Sequence, residues 1–326
     1  MTKICIYGAG AIGGLVGAEL ALAGSDVTLV ARGPHLAAMQ ANGLTIIKEG
    51  ETHIAKPFAT DDPAEAGPQD YIFITLKAHS VPGIVEEIQP LMGPDTAVVW
   101  GVNGVPWWYF YKLDGDYHDK RLESIDPGNG QWDKIGPERI IGCVVYPAAE
   151  VREPGIIQHV EGNRFSLGEP SGEKSKRVQL LAKELSNAGF RVPIRPRIRD
   201  ELWVKLWGNL SFNPMSVLTG KTLKEMGKDP KIRSTIRDMM LEAQTVGEKI
   251  GVKFLVDVDK RIEGATAVGA HKTSMLQDYE RGRPMEINAL VGAVSEMGTL
   301  TRTPTPTIDR VLAEVIQQAR LAGCYE

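Results

Sequence analysis

The sequence predicts an α/β fold class: a doubly wound parallel-sheet domain followed by an all-helical domain. Three observations predict it. An apolar run at the N-terminus leads directly into a glycine-rich turn and an apolar helix. Short apolar runs then recur through the first half, each closed by turn-forming residues, as buried parallel strands require. Beyond Arg199 the apolar residues recur only at helical spacing. A chain of 326 residues exceeds one ordinary core, so two domains are expected, 1–196 and 197–326. The run Arg195-Pro196-Arg197 reads as the linker.

The first strand is Ile4-Cys5-Ile6-Tyr7, and Gly8, Gly10 and Gly13 follow in G-x-G-x-x-G spacing. Gly8 permits a tight turn, Gly10 lets the backbone approach a pyrophosphate, and Gly13 lets the next helix lie close to the strand. The helix shows in Ile12, Leu15, Val16, Leu20 and Leu22, and stops at Gly24. Its N-terminal N–H groups, among Gly8, Ala9, Gly10, Ala11, Ile12 and Gly13, suit an anion. Asp26-Val27-Thr28-Leu29-Val30 supplies the second strand at the right distance. This is the context of a Rossmann-type dinucleotide site. Where such sites specific for NAD carry an acid at the end of the second strand, this chain has Ala31-Arg32-Gly33. No carboxylate repels a 2′-phosphate, and Arg32 offers a donor fork for one, so NADP is the expected cofactor.

A short helix from His35 to Asn42 follows, then Leu44–Ile47 and Thr52–Ala55 as a hairpin or meander. The buried strand Asp70–Leu76 ends in Lys77, at the strand end where ligands bind in such sheets. Lys77 is therefore a candidate contact for cofactor or substrate, and is assigned to the cofactor. A helix from Val81 to Leu91 leads to the strand Thr96–Trp100, which ends in Gly101-Val102-Asn103-Gly104. A neutral amide at Asn103 suits the neighbourhood of a nicotinamide ring. The aromatic run Trp107–Tyr111 opens a long polar stretch up to Pro137, which is expected to line the site, contact another copy, or pack on itself. Arg139–Tyr146 resumes the strands. Gly155–Val160 and Arg164–Gly168 read as an antiparallel pair, and a helix Lys174–Ala188 with a strand Arg191–Ile194 closes the first domain.

Function classes fall away on composition. The net charge of -4 gives no basic footprint for nucleic acid. No apolar run reaches transmembrane length, and the N-terminus enters a strand at once, so neither membrane span nor signal peptide is expected. The three cysteines are far apart and carry no metal-ligand spacing, which points to a reducing cytoplasm and no metal site.

The second domain opens on a helix that is apolar almost all round, yet Lys205, Asn209 and Asn213 stand at i, i+4 and i+8 on one face. Polar residues in line on a buried helix need partners. Pro214 is expected to bend or end that helix and aim Asn213 into a cleft. Further on, Pro284 puts Glu286 in the first turn of the next helix, where the dipole favours a carboxylate.

Together these segments resemble the ketopantoate reductase family. The resemblance is carried by Gly8–Gly13, Leu76-Lys77-Ala78, Asn103-Gly104, Glu201-Leu202-Trp203 with Lys205-Leu206, Asn209, Asn213-Pro214, Ser274–Asp278 and Glu286-Ile287. It implies NADPH-dependent reduction of a small 2-oxo acid, 2-dehydropantoate to (R)-pantoate, as in pantothenate and coenzyme A biosynthesis. By the same resemblance Lys205 is the general acid and Glu286 holds substrate and Lys205 in register. Asn103 lies between nicotinamide and substrate, while Asn209, Asn213 and Ser274 bind the substrate. Asp278 matches the motif. The chain departs from the family pattern in the longer aromatic stretch after Gly104 and in His271. The rival readings are a reductase of another 2-oxo acid or an imine, as in opine-type enzymes, and a non-catalytic NADP sensor. A sensor needs no proton donor. A homodimer is one assembly the sequence allows.

Overall fold

The computed structural model describes residues 1–325. The chain forms two compact units. The first comprises residues 1–102, 111–114 and 129–198. Its elements are β1 (Lys3–Tyr7), α1 (Ala11–Leu22), β2 (Asp26–Val30), α2 (Gly33–Asn42), β3 (Leu44–Lys48), β4 (Glu51–Ala55), β5 (Phe58–Thr60), β6 (Gln69–Ile74), β7 (Met92–Trp100), α3 (Gly130–Lys134), β8 (Ile140–Val145), β9 (Ala148–Glu153), β10 (Ile156–Glu161), β11 (Phe165–Gly168) and α4 (Lys176–Asn187).

Seven strands make one sheet in the order β11-β8-β7-β6-β1-β2-β5, parallel except at β11–β8. The chain winds outward from β1 to β2 and β5, then returns to β6 and winds the other way. The switch point therefore lies between β1 and β6, where ligands bind beyond the carboxyl ends. The remaining four strands form a second sheet, β4-β3-β10-β9. Helix α1 is sandwiched between the two sheets, which explains why its circumference is apolar. A Cβ on Gly17 would stand 2.4 Å from Leu29 Cδ2 of β2, and one on Gly14 would stand 2.9 Å from Ile157 Cγ1 of β10. The two glycines let one helix close on both layers. The core behind β1, with Ile4, Ile6, Leu15, Phe73, Val99, Ile141, Phe165 and Leu181, is fully buried.

Three local expectations are corrected here. The stretch Val81–Leu91 is a run of 3-10 turns, not an α-helix. Pro82 opens one such turn and Pro90 lies within another, and neither has an N–H for an i→i−4 bond. The two runs read as one hairpin belong to different sheets. β10 pairs with β9, while β11 pairs with β8. Arg191–Ile194 makes only isolated bridges, Arg164 to Arg191 and Leu167 to Ile194.

The second unit is formed by residues 103–110, 115–128 and 199–326. A single boundary at 196/197 left the first two segments with the sheet, but their contacts lie with the C-terminal helices. These are α5 (Ile198–Thr219), α6 (Leu223–Lys228), α7 (Pro230–Lys249), α8 (Val258–Ala267), α9 (Ser274–Glu280), α10 (Ala293–Thr301) and α11 (Pro306–Leu321). The aromatic run is core: Trp107, Trp108, Tyr109 and Phe110 are all at most 2% exposed. Trp203 Nε1 of α5 donates to Tyr109 Oη at 2.7 Å, and Arg199 Nε donates to the Tyr109 carbonyl at 2.7 Å. The polar stretch that follows is held by Glu296 of α10, whose carboxylate accepts from the N–H groups of Glu123 and Ser124. Helix α5 runs through Pro214 without ending there. Phe212, Asn213, Met215, Ser216 and Val217 are buried around it, so packing holds the helix where proline removes one backbone bond. Among the described residues, no helix is long and apolar enough to cross a membrane.

Candidate active site

In the first unit the sequence-predicted cofactor residues gather at the carboxyl ends of β1, β2 and β6. Gly8 has φ +100, a left-handed conformation that favours glycine, and its N–H and that of Ala9 both donate to the Val30 carbonyl. A Cβ on Gly13 would stand 2.2 Å from the Gly8 carbonyl oxygen and 2.4 Å from Thr75 Oγ1, so only glycine lets α1 start this close. At Gly10 a Cβ would meet nothing within 4 Å, so the space in front of this residue is open. Gly10 is the N-cap of α1 and carries no side-chain cap. The first N–H groups of α1 have no intrahelical acceptor, as at any helix N-terminus, the arrangement that binds phosphate.

Arg32 follows β2 as the N-cap of α2 and is exposed. Lys77 follows β6, one residue after Leu76, whose side chain packs against Gly8. Two supporting residues escaped the sequence reading. Thr75 Oγ1 donates to the Gly8 carbonyl at 2.8 Å, and a His35 ring nitrogen lies 2.8 Å from the Ala9 carbonyl oxygen. Tyr7, the last residue of β1, donates to Glu87 Oε2 at 2.7 Å. Burial first, then that bond, holds its phenol well above the ordinary pKa, so it stays neutral.

In the second unit Lys205 Nζ donates to Asn103 Oδ1 at 2.7 Å. A lysine has only donors, so the amide oxygen of Asn103 must face it and Nδ2 remains the donating end. Lys205 and Asn209 are half-buried and Asn213 is buried, in line along α5. Asn103, expected at both cofactor and substrate, accepts a hydrogen bond from the lysine of α5.

The segment carrying Asn103 is fixed by an irregularity in the helix leading into α10. Residues Asn288–Gly292 form a π-helical turn, in which Ala293 N–H bonds the Asn288 carbonyl. The Ala289 carbonyl accepts from Val105 N–H at 2.8 Å. Gly104 has φ +91 and no room for a Cβ, which would stand 2.5 Å from that same oxygen. Single π-helical turns of this kind are frequent at functional sites. Glu286 is buried and stands just ahead of this turn, its carbonyl accepting from Leu290 N–H. It precedes the first turn, where the sequence reading had placed it inside.

Ser274 is exposed at the start of α9. Its neighbour Thr273 caps that helix and joins it to α5 through Ser216, with the two hydroxyl oxygens 2.6 Å apart. Ser216 Oγ also donates to the Asn213 carbonyl, so Thr273 must be the donor to Ser216. The resulting chain of bonds runs from Leu276 N–H through two hydroxyls to Asn213, and ties the start of α9 to the Asn213 turn. Asp278 is buried, and its carbonyl accepts from the N–H groups of Arg281 and Arg283. No group of metal-ligating side chains is assembled among the described residues.

Comparison with known proteins identifies the family. Residues 4–172 match the family described as Ketopantoate reductase PanE/ApbA, and residues 197–319 match its C-terminal region. A 2-dehydropantoate 2-reductase of Mesorhizobium japonicum is 58% identical over 324 residues, 99% of either chain. A crystal structure from Ralstonia solanacearum MolK2, provisionally named a ketopantoate reductase, superposes with a TM-score of 0.95 at 40% identity over 99% of each chain. The ternary structure of D-mandelate dehydrogenase with NADH and anilino(oxo)acetate shares the fold, with a TM-score of 0.84 at 22% identity over 98% of this chain and 99% of that one. On its sequence and on its structure, the chain belongs to the ketopantoate reductase family.

Proposed function

We propose that this chain reduces 2-dehydropantoate to pantoate with NADPH. The observation that carries the reading is Lys205, held at 2.7 Å by Asn103 on the polar line of a largely apolar helix. Its support is the match of a 2-dehydropantoate 2-reductase along the whole chain.

The cofactor fits the residues present. The open space before Gly10 accepts a pyrophosphate, and the N–H groups starting α1 hold it. Arg32, with no acid beside it at the end of β2, takes the 2′-phosphate, and Lys77 adds positive charge at the end of β6. When bound, NADPH supplies the hydride that reduces the carbonyl carbon. Lys205 donates its proton to the carbonyl oxygen and stabilises the negative charge developing there. Asn103 fixes the ammonium group through Oδ1 and presents Nδ2 to the nicotinamide and substrate. Glu286 holds the substrate in register, and Asn209, Asn213 and Ser274 bind its hydroxyl and carboxylate. In this division residues 1–196 supply the cofactor site and residues 197–326, with Asn103, supply the acid and the substrate contacts.

The test is NADPH oxidation against a panel of 2-oxo acids that includes 2-dehydropantoate, pyruvate, 2-oxoisovalerate and phenylglyoxylate. 2-Dehydropantoate should show the highest kcat/KM. A tenfold or greater preference for another acid refutes the substrate assignment.

A further inference from the structure

His35 lies in the first turns of α2, three residues after Arg32, and is half-buried. Both its ring nitrogens are engaged. Gly155 N–H, in the turn between β9 and β10, donates to Nδ1 at 2.9 Å. Nδ1 must therefore hold a lone pair, the proton sits on Nε2, and Nε2 donates to the Ala9 carbonyl at 2.8 Å. Gly155 is itself fixed from two sides. Its carbonyl accepts from Thr45 N–H of β3, and at φ +78 it leaves no room for a Cβ, which would stand 2.9 Å from Ala38 Cβ of α2. The second sheet thus reaches the glycine loop through one imidazole.

The Ala9 carbonyl and the Gly10 N–H belong to one planar trans peptide, so they point in opposite directions. There are no cis peptide bonds in the described residues. Holding the carbonyl back towards α2 fixes the opposite direction for the N–H of Gly10, the residue at the start of α1 where a Cβ would meet nothing within 4 Å. A peptide turned the other way would put a carbonyl oxygen where a phosphate oxygen belongs. We propose that His35 is a positioning residue for pyrophosphate binding: as a neutral Nε2–H tautomer braced by Gly155, it locks the Ala9–Gly10 peptide in the anion-binding orientation. The inference rests on the cofactor reading given above. It adds a residue that touches neither substrate nor the reacting atoms and acts through the loop.

The test compares His35→Ala, His35→Leu and His35→Gln with the wild type, using calorimetric binding of NADPH, NADH and adenosine 2′-monophosphate. Both dinucleotides should bind about tenfold more weakly to the Ala and Leu variants, the loss expected for one or two hydrogen bonds. Adenosine 2′-monophosphate has no pyrophosphate, so its affinity should stay within about twofold. Glutamine offers an acceptor and a donor in one head, and should bring NADPH affinity back to within about threefold of wild type. At saturating NADPH, kcat should change little, so the defect appears in the KM for NADPH. Unchanged dinucleotide affinity in a folded Ala variant overturns the proposal, and so does equal weakening of all three ligands. A wild type that binds neither dinucleotide overturns the cofactor reading itself, which separates the two failures. Should the Ala and Leu variants not fold, ring ¹⁵N signals of His35 in the wild type decide. A proton on Nε2 and a shift on adding NADPH support the lock, whereas a proton on Nδ1 overturns it.

Discussion

Gly104→Ala is the sharpest single probe of the second unit. The added Cβ would stand 2.5 Å from the Ala289 oxygen and 2.7 Å from its carbonyl carbon and Cβ, atoms with no rotamer to escape into. The residue also has φ +91, which costs a non-glycine side chain about 1–2 kcal/mol. Either the contact is borne, or the segment retreats and the Val105 N–H to Ala289 bond of 2.8 Å is lost. Each alternative costs a further 1–3 kcal/mol or so. The sum is roughly 2–5 kcal/mol, and at about 2–4 °C per kcal/mol Tm should fall by roughly 4–20 °C. Because Asn103 is the adjacent residue, its bond to Lys205 should be weakened, and kcat should drop at least about tenfold in the fraction that stays folded. Scanning calorimetry and steady-state kinetics on one preparation read both effects. Gly83→Ala is the control, since a Cβ there meets nothing within 4 Å. A Gly104→Ala protein with wild-type Tm and wild-type kcat refutes the account of the π-helical turn as the anchor of Asn103.

Lys205→Ala should lower kcat by roughly 10²–10⁴-fold while NADPH affinity barely moves; a kcat within a few-fold of wild type removes Lys205 as the acid. Arg32→Ala should weaken NADPH at least about tenfold, near 1.4 kcal/mol, and leave NADH almost unchanged, measured by fluorescence titration. Equal affinities for the two nucleotides in the wild type contradict that role. Burial pushes the Cys5 thiol up to about 12, so at pH 8 only about one molecule in ten thousand carries its thiolate. Together with the burial of Cys143 and Cys324, this predicts that a thiol reagent labels native protein negligibly and all three cysteines after denaturation.

The parts of the fold that could be read from the chain are those whose cause is local. The glycine loop announces itself because strand, turn and helix are contiguous, and Lys205, Asn209 and Asn213 because a helix has a fixed period. What escaped has its cause elsewhere in the sequence. Val81, Ile84, Val85, Ile88 and Leu91 have helical spacing, and only Pro82 and Pro90 betray the turns. β9 carries Glu150, Arg152 and Glu153 and looks like a surface loop; it is a strand because β10 lies beside it. β10 and β11 are neighbours in sequence, which favours a hairpin, yet each finds a better partner in another sheet. Composition cannot tell an aromatic run that covers a site from one that fills a core. The bonds of Thr75 and His35 to the glycine loop join residues 67 and 26 positions apart and leave no local pattern.

The interleaving of the two units has a consequence for biosynthesis. Tyr109 meets Trp203 across 94 residues, and Glu123 meets Glu296 across 173. A ribosome therefore delivers four large aromatic or indole side chains, Trp107 to Phe110, long before the helix that shelters them has been made. During that interval they are exposed, sticky ballast on a nascent chain, and the second unit closes only after synthesis is nearly complete. Gene fragments divided at 196/197 would strand this segment on the wrong piece. The C-terminal fragment would lack part of its own interior, and grafting a foreign N-terminal domain at that seam would carry off part of the second unit.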